Sequence, residues 1–435
     1  MNKSLTVLLI CILLANFAPA SAQGQTYYVA VTGSDTSGDG SQAHPWATIQ
    51  HAATQVSAGA TVLINPGSYT GGIYVEIGGT AAEPVIFKAA GAGVIVEGSG
   101  GERDAFFIDQ ADYVTVEGLV IQQADRAGMR ISQSNHVTVR NMTFADNGRW
   151  GLFTDFSDYT LVEDSESYGA ALEHGIYISN SSDYPTIRRN RLHHNRGCGL
   201  HMNGDISMGG DGIISFGLVE DNIVFENGLG GGSAINMDGV TDTLVRNNLL
   251  YDNHASGISL YQVDGGSGSS NNRVLNNTII MPSDGRWAIN IPEGNDTNNQ
   301  LFNNILYSYH SWRGSISIAS PTLPGFESDY NIVMDRLSTD SGDTIISLAE
   351  WQALGYDTHS ISATPEQLFQ YPAGKNYHLR SDSPAVDSGV LLSDVVDDLE
   401  GNPRPLGSQP DIGAYEFAAF SFNHHVYLPH ISVTP

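Results

Sequence analysis

The chain has 435 residues, of which 47 are acidic and 19 are basic, so its formal net charge is −28. This excess of carboxylates argues against nucleic-acid binding, because neutralising phosphates requires clustered lysine and arginine. Two cysteines are too few for a disulfide-stabilised scaffold. With 48 glycines, the chain suits one elongated repeat protein with capped ends, which we expect to be a monomer.

Residues 1–22 have the pattern of a secretory signal peptide. A lysine precedes an apolar run from Leu5 to Ala15, and the small residues Ala20 and Ala22 follow at the spacing of a cleavage site. The apolar run is too short to span a membrane, and no other long apolar run follows. We therefore expect a secreted or surface-held protein with no membrane span.

Residues 23–93 are expected to form an N-terminal cap and the first coils. A strand near Tyr27, a short helix from Pro45 to about Val56 and a strand from Thr61 fit the local pattern. A solenoid needs such a cap, because its terminal coil is otherwise open to water on its apolar side.

This opening, continued by Pro84-Val-Ile-Phe-Lys-Ala89, resembles that of secreted, pectin-lyase-like β-helix enzymes. It is similar to the opening of the calcium-dependent β-helix pectate lyases. The resemblance implies a right-handed parallel β-helix. Members of that family use a calcium site of several aspartates and a catalytic lysine. Past the signal peptide this chain has only Lys88, in the cap, and Lys375, near the C-terminus, so we expect neither to be a base.

Residues 94–325 repeat with a period of 23 to 24 residues over the first coils. The repeated phrase begins with a small residue, continues with an apolar one, and usually ends with an aliphatic one. Apolar residues alternate within each repeat, which is the period of a strand. A repeat of this length made of short strands predicts an all-β fold, a right-handed, single-stranded parallel β-helix solenoid. The phrase begins at Gly128, Gly151, Gly175, Gly199, Ala234, Gly257 and Ala288.

A second phrase, ending in asparagine, also recurs once per coil. Asparagine tolerates left-handed backbone and turns, so stacked asparagines would mark a repeated bend. The phrase ends at Asn141, Asn190, Asn222, Asn248, Asn277 and Asn304.

Residues 326–417 resemble a C-terminal module found behind many exported bacterial β-helices, and residues 418–435 form a short tail. The module contains four conspicuous charged residues, Asp387, Arg404, Asp411 and Glu416. We interpret them as an internal network of ion pairs and turns rather than as a binding site.

Two coils exceed the regular repeat, through extra residues at 206–215 and at about 262–270. Insertions on one edge of a solenoid usually wall a binding surface, so the adjacent strand is the predicted site. Its outward positions form two ladders. The first runs through Phe107, Arg130, Phe153, Tyr177, His201, Asn236, Ser259 and Asn290, and the second through Asp109, Ser132, Asp155, Ser179, Asn203, Asp238, Tyr261 and Pro292.

The residues of this face predict a secreted, carbohydrate-active protein. The first hypothesis is a polysaccharide lyase that acts on a uronate-containing polysaccharide. β-Elimination needs neutralisation of the sugar carboxylate, a base and an acid. Tyr177 and His201, as neighbours, could share the base and acid roles. Asn203, Asn236 or Arg130 could receive the carboxylate. Phe153, His174 and Tyr261 complete the predicted substrate-binding residues.

In the lyase hypothesis, a calcium ion held by Asp155, Asp205 or Asp238 could neutralise the sugar carboxylate instead. Two other functions are also compatible with the sequence. Asp205 and Asp238 could instead be the acid and base of an inverting glycoside hydrolase, because strand spacing puts them roughly 8 Å apart. The protein could also bind glycans or serve as a surface structure without catalysis. No organic cofactor is predicted.

Overall fold

Each repeat folds into three short strands, because its apolar residues alternate in groups of three to five and a bend follows each group. One coil consists of Phe106–Asp109, Val114–Glu117 and Val120–Gln122. Each strand pairs in parallel with the equivalent strands of the coils before and after it. The computed structural model, which describes residues 24–292 and 295–418, therefore confirms the predicted parallel β-helix.

The strands form three long parallel sheets, named here in the order in which the chain first visits them. Sheet 1 consists of Thr26–Val29, Thr61–Ile64, Val85–Ala89, Val114–Glu117, Thr138–Arg140, Leu161–Glu163, Thr186–Arg188, Leu218–Glu220, Leu244–Arg246, Arg273–Leu275, Gln300–Phe302 and Glu327–Asp329. Sheet 2 consists of Gly67–Thr70, Val94–Glu97, Val120–Gln122, Thr143–Ala145, Glu166–Tyr168, Arg191–His193, Ile223–Phe225, Leu249–Tyr251, Thr278–Met281, Ile305–Ser308, Ile332–Val333 and Ile361–Ser362. Sheet 3 consists of Ile73–Val75, Phe106–Asp109, Ala127–Ser132, Trp150–Asp155, Ile176–Ser179, Leu200–Asn203, Ile235–Asp238, Ile258–Tyr261, Ile289–Ile291, Ile316–Ile318 and Leu337–Ser338.

Smaller elements lie outside these sheets. Ile214–Ser215 pairs with Val240–Thr241, and Phe369–Tyr371 forms an antiparallel pair with Asn376–Leu379. The remaining elements are the α-helices Ile49–Gln55, Leu348–Ala353 and Pro365–Leu368 and the 3₁₀ turns Ile206–Met208, Ser320–Thr322 and Pro372–Gly374.

The inward side chains of all three sheets form one continuous apolar column. At its N-terminal end the helix Ile49–Gln55 buries Ile49, Ala52 and Ala53. Thr48 begins this helix, its side chain accepting the backbone N–H of His51. The predicted helix from Pro45 to about Val56 thus forms, four residues shorter at its start. It caps the open apolar end, as a solenoid requires.

Buried asparagines stack at the bend between sheet 1 and sheet 2. The Oδ1 of Asn248 accepts from the backbone N and the Nδ2 of Asn222, at 3.0 and 2.9 Å. Its Nδ2 donates in turn to Asn277 Oδ1 at 2.9 Å. The same contacts repeat along Asn190, Asn222, Asn248, Asn277, Asn304 and Asn331.

The predicted reason for these asparagines needs correction. The left-handed residue at each bend is the one before the stacked asparagine, as with Asn247 at φ 55° and Asn276 at φ 52°. Asn141 is itself such a left-handed, exposed residue, and Met142 occupies the stacked position of its coil. The stacked asparagines are selected because their amides satisfy buried backbone groups of neighbouring coils.

The C-terminal module packs on the bend between sheets 1 and 2. Its predicted charged network is confirmed: the buried Arg404 donates to Glu416 at 2.7 Å, and Asp411 accepts the backbone N–H of Asp387 at 2.7 Å. Asn247 donates to the carbonyl of Asp397 at 2.8 Å, which joins the module to the coils. Paired strands of the three sheets continue to Ser362 before this module begins. The tail beyond residue 418 lies outside the described residues, as does the predicted signal peptide.

We expect Asn248→Ala to lower the free energy of unfolding by about 3 kcal/mol, because it leaves buried donors and acceptors on both neighbouring coils unpaired. Asn141→Gly keeps an exposed left-handed bend and should change it by less than about 0.5 kcal/mol. Urea denaturation of the two variants measures the difference, and equal midpoints would contradict the role of the asparagine stack.

Candidate functional site

The two predicted ladders lie side by side on the outer face of sheet 3. Tyr177 pairs in register with His201, and His201 with Asn236. Asn203 pairs with Asp238, and Asp238 with Tyr261. The predicted adjacency of Tyr177 and His201 is confirmed by stacked rings with centroids 5.0 Å apart.

Both insertions wall this face along the edge where the chain leaves the strands of sheet 3, here called the trailing edge. Asp205 forms an isolated antiparallel bridge with Gly265, and Ile206 donates to the carbonyl of Asp264 at 3.0 Å. The rim of this wall exposes apolar side chains, notably Met208 and Val263. On the opposite, leading edge, where the chain enters the strands, Leu172 and Leu229 are also exposed. We call this face, with the wall of insertions along its trailing edge, the groove, and its outward side chains the floor.

Aromatic side chains cover the floor towards the N-terminal coils. Phe153 stacks on Trp150 with ring centroids 4.5 Å apart, and its centroid lies 5.3 Å from that of Tyr177. The guanidinium of Arg130 lies over the ring of Phe107 at 4.6 Å. Trp150 and Phe153 are buried, whereas Phe107 and Tyr177 are half-buried and present apolar surface on which sugar rings can pack.

His174, His201 and Tyr261 form a chain of hydrogen bonds across three coils. The backbone N–H of Cys198 donates to His174 Nδ1 at 3.0 Å. His174 Nε2 lies 3.0 Å from His201 Nδ1, and His201 Nε2 lies 3.5 Å from the Tyr261 hydroxyl. We call this chain the histidine relay.

The backbone N–H of Cys198 fixes the protonation of the whole relay. Since His174 Nδ1 accepts that hydrogen, the neutral ring carries its own proton on Nε2. This proton is donated to His201 Nδ1, so His201 also carries its proton on Nε2. His201 therefore presents an N–H donor to Tyr261, and not a lone pair.

Each of the two tyrosines on the floor receives an amide hydrogen. Asn236 Nδ2 donates to the Tyr261 hydroxyl at 2.6 Å, and Asn203 Nδ2 donates to the Tyr177 hydroxyl at 3.0 Å. Because the Tyr261 oxygen accepts from both Asn236 and His201, its own hydrogen points away from them. The described residues offer no acceptor for that hydrogen.

Burial keeps these groups uncharged. It lowers the pKa of His201 to about 4, and it lowers the pKa of His174 well below its usual value, with smaller contributions from His201 and Arg149. Burial also raises the pKa of Tyr177 to about 12. The pKa of Tyr261 rises further, through burial and then the nearby charge of Asp238. At neutral pH the centre is two neutral imidazoles and two phenols.

His174, Cys198 and His201 are the one group of three potential metal ligands that comes together among the described residues. Their hydrogen bonds account for this proximity. A metal at His174 Nε2 would have to displace the proton that the backbone N–H of Cys198 keeps there. We therefore interpret the group as a proton relay and not as a metal site.

The three aspartates predicted to hold calcium each contact other groups of the protein. Asp155 binds the Nη2 of Arg130 at 2.7 Å. Asp205 accepts both the backbone N–H and the hydroxyl of Ser207, at 2.8 and 2.6 Å. The carboxylates belong to separate local contacts and do not gather around one point.

Asp238 anchors the second insertion. Its carboxylate accepts three backbone N–H groups, from Val263, Asp264 and Gly265, at 2.9, 2.9 and 3.0 Å. Both oxygens are thus engaged, and the side chain is buried. This environment does not favour Asp238 as the acid or base of a hydrolase, and its pairing with Asp205 in that role stays a prediction.

Both lysines lie off this face. Lys88, on sheet 1, pairs with Glu117 at 2.9 Å, and Lys375 of the C-terminal module pairs with Asp252. Sequence reasoning missed three contributors: the backbone of Cys198, the Glu173 carboxylate that accepts from Trp150 Nε1 at 2.7 Å, and Asp264, 3.4 Å from Asn203 Nδ2. The extra length of the coil that contains Asp264 was the available signal for that residue.

Similarity to known proteins agrees with this architecture. A family model described as "Pel9A-like, right handed beta helix region" matches residues 27–299. The structure of pectate lyase Pel9A has a TM-score of 0.66 and 17% identity, over 91% of this chain and 97% of that one. A complex of XylC with xylose has a TM-score of 0.56 and 12% identity, over 90% and 98% of the two chains.

The chain is also 25% identical over 257 residues to the uncharacterized protein YwoF of Bacillus subtilis (strain 168). The match covers 57% of this chain and 46% of YwoF, so it spans less than half of the length of that relative. Within the described residues, no helix has the length and apolar character needed to cross a membrane.

The histidine relay should make stability depend on pH. His201 has a pKa of about 4 in the folded protein against 6.5 ordinarily, so the unfolded chain binds more protons in between. We expect the contribution of neutral His201 to the free energy of unfolding to be complete above pH 6.5 and to be lost as the pH falls towards 4. Denaturation midpoints over this range should fall less steeply for His201→Gln, and ¹⁵N shifts should place the proton of both rings on Nε2. A proton on His201 Nδ1 would contradict the relay.

Proposed function

The chain belongs to the Pel9A-like right-handed β-helix family, and from this premise we propose that it is a polysaccharide lyase that cleaves a uronate-containing polysaccharide by β-elimination. The observation that carries the proposal is the convergence of two phenols, two neutral imidazoles and two amides on the walled floor of sheet 3. Perturbed titratable groups that meet in a groove are typical of active sites. The signal-peptide pattern of residues 1–22 supports export to where such polymers occur.

Tyr261 is placed to act as the acid. Its hydroxyl hydrogen points away from Asn236 and His201 and has no acceptor among the described residues, which leaves it for a substrate oxygen. After the proton passes to the leaving glycosidic oxygen, the phenolate retains two N–H donors, from Asn236 and His201. Hydrogen bonds that strengthen as charge develops are the ones that lower a barrier.

Tyr177 is the second phenol of the floor and our candidate for the base that removes the C5 proton. As a phenolate it would keep the N–H of Asn203. Its pKa of about 12 makes the active fraction small at neutral pH, and this fraction grows about tenfold per pH unit below that value. The second hydrogen of the Asn236 amide is the neutral donor available for the sugar carboxylate, because that of Asn203 faces the carboxylate of Asp264 at 3.4 Å.

This assignment departs from the predicted one in one respect. The sequence suggested that His201 and Tyr177 share the proton transfers. In the proposed mechanism His201 stays neutral, donates through Nε2 and stabilises the Tyr261 phenolate. His174 positions it, and Cys198 positions His174 through its backbone.

The chemistry is tested with purified protein on polygalacturonate, alginate and a neutral polysaccharide, by the absorbance of an unsaturated uronate. Tyr261→Phe and Tyr177→Phe should each lower kcat/KM at least about 100-fold. Tyr184→Phe, an exposed ring at the bend after sheet 3, should leave it unchanged. The wild-type rate should rise with pH as Tyr177 ionises. Reducing ends without the absorbance would mean hydrolysis, and no product on any polymer would favour glycan binding alone.

Calcium dependence gives a separate test. The aspartates predicted to bind it are engaged with Arg130, with Ser207 and with the loop 263–265, so we expect a chelator to leave the rate of elimination unchanged. Loss of activity with the chelator and recovery with added calcium would show that this interpretation of the aspartates is wrong.

A further inference from the structure

Five arginines form no ion pair with any described residue, and all five lie on the leading edge of sheet 3. The other described arginines each contact a carboxylate, as Arg126 does with Asp104 and Arg149 with Glu173 at 2.8 Å. The unpaired ones immediately precede strands of sheet 3 and are partly or fully exposed. They are Arg103, Arg196, Arg286, Arg313 and Arg336.

Three of them occupy consecutive coils. Ala288 donates to the carbonyl of Gly314 at 3.1 Å, and Ser315 donates to that of Arg336 at 3.0 Å, which aligns the segments that hold Arg286, Arg313 and Arg336. The coils are about 4.8 Å apart, so these arginines span about 10 Å, and they begin about 14 Å beyond His201. We call them the arginine row.

The acidic residues nearest in sequence to the row contact other groups and form no ion pair with it. Asp284 pairs with His254 at 2.7 Å, and Asp335 accepts the backbone N–H of Leu348 at 2.7 Å. Among the residues that the structure describes, Arg336 donates to the carbonyl of Ser308 at 3.2 Å and to the sulfur of Met334 at 3.7 Å, and to no carboxylate. Beside the row, the indole of Trp312 is 51% exposed.

The trailing edge has the opposite charge. Asp205, Asp211 and Asp264 lie on its two insertions, and Asp211 and Asp264 are exposed. A groove with arginines on one side and carboxylates on the other attracts an anionic chain to one side only. In a protein of net charge −28, a row of unpaired and at least partly exposed arginines is not what solubility alone would select.

We infer that the arginine row binds the carboxylates of an anionic polysaccharide on the C-terminal side of the histidine relay, with a sugar ring on Trp312. Guanidinium groups bind carboxylates in a bidentate manner, and an exposed indole offers a face for a sugar ring. The inference rests on the proposed function and deepens it, since it names the arginine row as the surface that holds the carboxylates away from the histidine relay.

The test separates binding from cleavage. Affinity gel electrophoresis is run in a Tyr261→Phe background on polygalacturonate and on its methyl ester, which has the same backbone without the charge. The triple variant Arg286→Gln/Arg313→Gln/Arg336→Gln should weaken retention by polygalacturonate at least tenfold and change retention by the ester little. The matched control, Arg140→Gln/Arg188→Gln/Arg380→Gln, removes three charges from other faces and should retain binding.

Each outcome decides a different claim. Arginine-dependent retention supports the row even if no polymer yields an unsaturated product, in which case only the lyase proposal fails. Retention that is unchanged in the row variant, or lost equally in the control, overturns the row. The absence of retention by polygalacturonate and by alginate overturns it as well.

Discussion

Hydrogen bonding between successive coils determines where every functional side chain of this protein lies. The strands of sheet 3 pair without a shift from Phe106–Asp109 to Ile258–Tyr261. The asparagine stack reinforces this register, because a slip by one residue would turn Asn248 outwards and leave its partners unpaired in the core. Residues far apart in sequence are thereby brought together, and His201 and Tyr261 lie within 3.5 Å across two coils.

The same stacking makes the centre neutral and directional. Side chains on neighbouring strands shield one another from water, so burial moves the pKa of each titratable group towards its uncharged form. A single backbone N–H, that of Cys198, then decides which nitrogen of each histidine carries a proton. A backbone donor cannot be titrated, so the direction of the relay does not change with pH as long as the coil stays folded.

Much of this arrangement can be predicted from sequence because it is periodic. The repeated phrase that begins with glycine shows which position of a coil each residue occupies, and it therefore predicts that Tyr177 and His201 are neighbours. The lengthened coils give the wall at 206–215. What could not be predicted depends on loops and on rotamers. From the sequence, Asp238 looked like a free carboxylate. In the structure it accepts three backbone N–H groups from a turn, and the conformation of that turn does not follow from the repeat.

The asparagines at the bend show that a sequence pattern can predict a position correctly and still suggest the wrong physical reason for it. The sequence placed Asn222 and Asn248 correctly at a corner, and the reason offered was backbone conformation. Their amides in fact bridge coils, while the left-handed geometry belongs to the residue before. A one-residue pattern cannot separate these two causes, because both enrich asparagine at the same place.

Charge and chemistry are separated in this groove. Beyond about 8 Å, physiological salt screens the large negative charge of the whole molecule, so a polyanion near the surface responds to the groups within that range. Along the leading edge these are unpaired arginines, while the histidine relay between the edges is uncharged. If carboxylates are held a few coils away, their charge does not change the protonation of Tyr177 and Tyr261. Under the proposed function, the arginine row would hold the carboxylates of neighbouring sugars, and the carboxylate of the reacting sugar would meet neutral amide donors between the two edges.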